Sequence, residues 1–185
     1  IRDGLLKRLM VFMPPGCSKS LFCSVLLPAW LLGQRPSGRI ISASHTKDLV
    51  EDFGRAIKDL VQMPEYQRIY PSVDLRQDVK AAGRWHTTQK GQFQGVGVGS
   101  AVAGRRADLC AVIDDPISEQ DAYSEAARLR CKIWYPGGFR SRTLPGTPII
   151  LVMTRWHCDD LAGWLLEESK KPDAEKWEVI TFPAL

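Results

Sequence analysis

The sequence has no run of about 18 apolar residues, the length that a bilayer-spanning helix requires. Its longest apolar stretch, around Val25 to Leu32, is interrupted by Pro28. A helical membrane anchor is therefore not expected, and a soluble protein is. CxxC pairs are missing as well: the five cysteines, at 17, 23, 110, 131 and 158, follow no regular spacing, so free thiols in a reducing cytoplasm are expected in place of a disulfide framework. His157-Cys158-Asp159-Asp160 has metal-ligand residue types, but consecutive residues cannot all turn to one ion and no second cluster completes a zinc site. Internal repeats and low-complexity tracts are absent. Neither charge sign dominates: 25 Lys and Arg against 21 Asp and Glu leave +4, which permits a polyanionic partner without requiring one. The chain lacks an initial Met, and no helix or polar tail follows Phe182-Pro183-Ala184-Leu185, so a fragment of a longer chain is expected.

What is present is a set of short apolar runs separated by helical patterns, in a chain whose 44% hydrophobic content can bury one core. Leu9 to Met13 reads as a strand buried on both faces and stopped by Pro14-Pro15-Gly16. From Lys19 to about Leu32 the apolar residues recur at helical spacing, with Pro28 as a kink and Gly33 as a stop. Residues 39–44 predict a second strand and Thr46 to about Gln62 a second helix. Between Pro64 and Asp108 short polar and aromatic segments with many glycines predict antiparallel hairpins. Leu109 to Ile113 and Pro148 to Met153 are further buried strands, followed respectively by a helix from Glu119 to about Trp134 and one capped by Asp159 or Asp160. A last strand begins near Trp177. The expected class is α/β: one domain, with a mainly parallel central sheet flanked by helices and an inserted antiparallel hairpin region. Such sheets carry their sites at the carboxyl ends of the strands.

Three strand ends carry chemistry. Pro15-Gly16-Cys17-Ser18-Lys19-Ser20 lies between a strand and a helix, the setting in which backbone N–H groups cradle phosphates, a Lys reaches the β and γ oxygens and a hydroxyl binds Mg²⁺. The full pattern asks for two glycines where Met13 and Ser18 stand, and an isolated Lys-Ser turn also suits a helix cap. Ala111 to Asp115 delivers two adjacent carboxylates, Asp114 for Mg²⁺ and Asp115 for the attacking water, although Asp-Asp-Pro by itself also begins turns. Thr154 and Arg155 are candidates for coupling: Thr154 would approach the γ-phosphate if its strand lies beside that of the loop, and otherwise the two suit a turn cap and a surface ion pair. Arg105 and Arg106 are candidates for stabilising transition-state charge, in cis or across a subunit boundary.

Taken in order, Met13 to Ser20, Gly83-Arg84-Trp85-His86-Thr87, the run Gly99-Ser100 to Gly104-Arg105-Arg106-Ala107-Asp108, Ile113-Asp114-Asp115-Pro116, and Thr154-Arg155-Trp156-His157 through Asp160-Leu161-Ala162-Gly163 resemble the large terminase subunits of tailed bacteriophages. The resemblance implies a P-loop NTPase of the additional-strand type using ATP and Mg²⁺. Lys19 and Ser20 would meet the phosphates and Mg²⁺, Asp114 would be the Mg²⁺-associated acid, Asp115 would replace the more usual catalytic Glu, and Thr154 would couple ATP. It further implies packaging of double-stranded DNA in the host cytoplasm by a homo-oligomeric ring that meets a small terminase subunit and a portal protein, with a nuclease domain beyond residue 185. Another nucleic-acid motor such as a helicase, or a degenerate nucleotide-binding module without hydrolysis, are the competing readings.

Overall fold

A computed structural model describes residues 1, 4–100 and 104–183. The middle of the Gly99-to-Asp108 run and the last two residues of the chain lie outside the described residues. Eight strands form one sheet: β1 (Arg8–Phe12), β2 (Arg39–Ser44), β3 (Leu75–Ala81), β4 (Arg84–Thr87), β5 (Gln92–Gly97), β6 (Cys110–Asp114), β7 (Ile149–Met153) and β8 (Glu178–Thr181). Their order is β3-β4-β5-β2-β6-β7-β1-β8. The strands from β5 to β8 in that order pair in parallel, while β4 is antiparallel to both β3 and β5. The inserted hairpins are thus real, but their last strand turns back into the parallel sheet beside β2.

Parallel strands need crossovers, and helices cover both faces. On one face Leu9, Val11, Ile40, Val112, Ile150 and Val152 pack under α1 (Leu27–Gln34) and α2 (Lys47–Gln62). On the other, Met10, Phe12, Ile41, Ile113, Ile149 and Leu151 pack with α5 (Glu125–Trp134) and α6 (Leu161–Glu168). Burial on both faces is why β1, β6 and β7 read as continuous apolar runs. Between α2 and β3 a short α3 (Pro64–Ile69) begins with Pro at its first turn, where no N–H is needed. The helix expected from Glu119 to Trp134 is broken into α4 (Glu119–Ala122) and α5, because Ser118 and Ser124 each cap a new start by accepting from Asp121 N and Ala127 N. Pro28 does not break its helix. Residues Leu21–Leu26 wind as π-helical turns before α1, and the proline enters in the first turn of the α-helical part. No helix among the described residues is long and apolar enough to cross a membrane.

Helix α2 shows how tertiary packing overrides propensity. Gly54 lies mid-helix, where Ala would ordinarily gain about 1 kcal/mol. A Cβ there would overlap the Ala82 carbonyl oxygen and stand 2.7 Å from the Phe93 ring, while the Gly54 carbonyl accepts from Trp85 Nε1 at 3.0 Å. Gly54→Ala is therefore expected to destabilise the chain by about 1–3 kcal/mol in denaturant unfolding. A gain in stability would refute this packing account.

Candidate functional site

The ends of β1, β6 and β7 meet because β7 pairs with both of the others. The main chain leaves β1 when Pro14 and Pro15, which have no N–H, end the ladder; its last bond is Met13 N to Met153 O at 3.4 Å. Two residues in the following loop adopt left-handed backbone: Gly16 at φ +77 and Ser18 at φ +60. Ser18 thus takes the conformation for which glycine is usually required, at a cost of about 1–2 kcal/mol. Helical bonding begins directly after it, with Phe22 N donating to Ser18 O at 3.2 Å. Cys17 is exposed at the loop's crest.

Lys19 turns inward, only 8% exposed, and its Nζ lies 2.9 Å from Asp115 Oδ2. The other carboxylate oxygen, Oδ1, accepts from Thr154 N at 2.9 Å, and Thr154 Oγ1 donates to Met13 O at 3.1 Å. Lys19, Asp115, Thr154 and the start of the loop therefore form one connected circuit. Asp115 itself sits at φ +40 just past β6, with its N donating to Val152 O at 2.9 Å. Its carbonyl accepts from His45 twice, from the backbone N at 3.2 Å and from Nδ1 at 2.9 Å.

Asp114 is different in kind. It is 1% exposed, and its carboxylate accepts from Ser20 Oγ at 3.1 Å and from Ser24 Oγ, with no Lys or Arg in ion-pair contact among the described residues. Burial pushes its carboxyl up to about 6, against the hydroxyl hydrogen bonds that lower it. The same surroundings push the Cys23 thiol up to about 11, so it stays protonated at neutral pH.

Sequence reading had not singled out Ser24 or His45. Ser24 follows Ser20 by one helical turn, a spacing that was visible; His45 follows β2 directly, but only the pairing of β2 with β6 brings it to Asp115. Arg155 does not reach the circuit: its Nε donates to Asp160 Oδ2 at 2.6 Å and its guanidinium lies 4.9 Å over the Phe12 ring. Arg105 and Arg106 are not brought to the site. Ala107 bonds Arg142 O, and Asp108 bonds Arg39 at the amino end of β2, the end opposite the loop.

No family model and no curated protein matches the sequence. The architecture belongs to the mixed α/β class with a mostly parallel sheet, and its fold is terminase-like. The crystal structure of the HK97 bacteriophage large terminase superposes with a TM-score of 0.55 at 14% identity, over 92% of this chain and 35% of that one. The chain thus spans about a third of the length of the protein it resembles in fold.

Two consequences are measurable in the ligand-free chain. Ser18→Gly should stabilise it by no more than about 1 kcal/mol, since relief at φ +60 is partly offset by the freer unfolded chain; a loss of stability would show that the Ser18 side chain itself holds the loop. For Asp114, the folded chain binds the proton more tightly than the unfolded one does. Stability from this group is therefore highest below pH 4, is withdrawn as pH rises to about 6, and stays lower by on the order of 3 kcal/mol above that. Asp114→Asn should flatten this slope in metal-free buffer, and urea midpoints from pH 4 to 7 that keep the slope would rule the account out.

Proposed function

We propose that this chain is the ATP-hydrolysing engine of a phage large terminase, turning over ATP with Mg²⁺ to drive double-stranded DNA into a prohead. The observation that carries the reading is the circuit at three neighbouring strand ends: Lys19 and Ser20 at a helix start, Asp114 and Asp115 at the end of β6, and Thr154 at the end of β7. The terminase-like fold supports it.

The residues present fit Mg²⁺. Asp114 is a buried carboxylate that accepts from two hydroxyls, and Ser20 Oγ stands beside it, a set of hard oxygen donors. No group of three His, Cys, Asp or Glu side chains that could hold a metal occurs among the described residues, so the remaining ligands would be phosphate oxygens and water, as Mg²⁺ prefers. Bound there through Ser20 and Asp114, the ion would neutralise charge on the transferring phosphoryl group.

The chain's own groups supply the rest. Backbone N–H groups from Pro15-Gly16 through Ser20, apart from the proline, line the start of the helix and suit phosphate oxygens. Lys19 exchanges its contact with Asp115 for the phosphates. That exchange frees Asp115 Oδ2 to take a proton from the attacking water while Thr154 N–H holds Oδ1. Thr154 is also tied to the loop through Met13 O, so a change at the terminal phosphate is felt at the end of β7. Arg105 and Arg106, at the far end of the sheet, would serve only across a subunit boundary in the homo-oligomeric ring. The small terminase subunit, the portal protein, the nuclease domain and the host cytoplasm belong to the same reading.

Steady-state ATPase assays on the assembled motor test it. Lys19→Ala should abolish turnover. Asp115→Asn should keep nucleotide binding while losing hydrolysis by on the order of 10²-fold or more. Unchanged turnover in Lys19→Ala would overturn the site, and nucleotide binding with no turnover in the unsubstituted chain would favour a non-hydrolysing module.

A further inference from the structure

The basic charge of this chain is concentrated in one stretch. From Val79 to Ala107 the sequence carries Lys80, Arg84, Lys90, Arg105 and Arg106 and no Asp or Glu, while the whole chain is only +4, so the remainder has no net positive charge. The stretch builds β4, β5 and the approach to β6, on the hairpin side of the sheet, whereas Lys19 follows β1 toward the other side.

Alternation along the strands sorts these residues by face. Trp85 and Phe93 are fully buried on the α2 side, stacked with ring centroids 5.3 Å apart, and Trp85 donates to Gly54 O there. Their neighbours point the other way: across the antiparallel pair Arg84 lies opposite Gln94, and His86 opposite Gln92. Arg76 and Asp78 of β3 join this face and hold each other in an ion pair. Burial and the charges of Arg84, Arg76 and Arg105 keep the pKa of His86 below its usual value, against Asp78, so these groups share one neighbourhood. Asp78 satisfies Arg76. Arg84 and Arg105 have no carboxylate in ion-pair contact among the described residues, and Arg84 is exposed.

A flat polar face with guanidinium groups that lack counter-charges complements a row of phosphates. No Phe, Tyr or Trp of β3, β4 or β5 is exposed, so the face has no platform on which unpaired bases would stack. We propose that this face of β3, β4 and β5 binds the phosphate backbone of duplex DNA, with Arg84 as its principal contact. The proposal rests on the motor reading above and gives the duplex a place on the chain.

Fluorescence anisotropy of a labelled duplex with the full chain, at salt from about 50 to 200 mM, tests the contact. Arg84→Gln should weaken binding roughly fivefold to tenfold near 0.1 M salt, alike for unrelated sequences, and lower the slope of log Kd against log salt by about 1. Arg84→Lys should keep the slope, and so should Lys170→Gln, which removes one exposed charge just past α6. An unchanged slope in Arg84→Gln, an equal loss in Lys170→Gln, tighter binding of a single strand than of the duplex, or no duplex binding by the unsubstituted chain overturns the assignment. ATP turnover measured on the same samples keeps the two readings apart. A chain that hydrolyses ATP while giving any of those results loses the surface alone; one that neither binds duplex nor hydrolyses ATP loses the motor reading with it.

Discussion

The Asp115 carboxylate and its main chain make four contacts to three segments that are distant in sequence. Oδ2 faces Lys19 after β1, Oδ1 faces the Thr154 N–H after β7, the carbonyl accepts from His45 after β2, and the N–H completes the ladder to Val152. Asp115 makes these contacts as it leaves β6 at φ +40, a conformation that costs a non-glycine residue energy. Two hydrogen bonds from His45, through its backbone N and its Nδ1, hold the carbonyl of that strained residue. The sheet supplies the rest, since register across β2, β6 and β7 sets all the partners at one height.

Beside this satisfied carboxylate stands one that is not charge-balanced. Asp114 accepts from two hydroxyls and has no Lys or Arg in ion-pair contact among the described residues, and burial disfavours its ionisation. A divalent ion would remove that penalty, while nucleotide phosphates would compete with Asp115 for Lys19. On the proposed reading both ligands would act on a site already tensioned toward them, one through a buried carboxylate and the other through an ion pair that can be exchanged. Strain at Ser18 belongs to the same economy: the loop holds a left-handed residue without glycine because the helix start fixes it on one side and the proline pair stiffens it on the other.

Much of the fold was legible in the residues. Apolar runs marked β1, β2, β6 and β7, and the cap at Thr46 marked α2 to within a residue. The hairpin region was only half legible, because glycine-rich alternation reveals strands but not that β5 would pair in parallel with β2. The split between α4 and α5 and the π-helical turns before Pro28 escaped for a different reason: serine in a helical pattern and proline near a helix start each permit two outcomes, and packing chooses.

The sequence by itself determined the class of fold and the residue types at the strand ends, because burial on two faces and the chemistry of Lys, Ser and Asp are written locally. It did not determine which strand ends are neighbours. Strand order placed β7 between β1 and β6, which brought Thr154 to Met13 and Asp115 to Lys19, and the same order left Arg105 and Arg106 at the opposite end of the sheet. Lateral pairing is decided by long-range burial and crossover geometry, for which no local periodicity carries a signal.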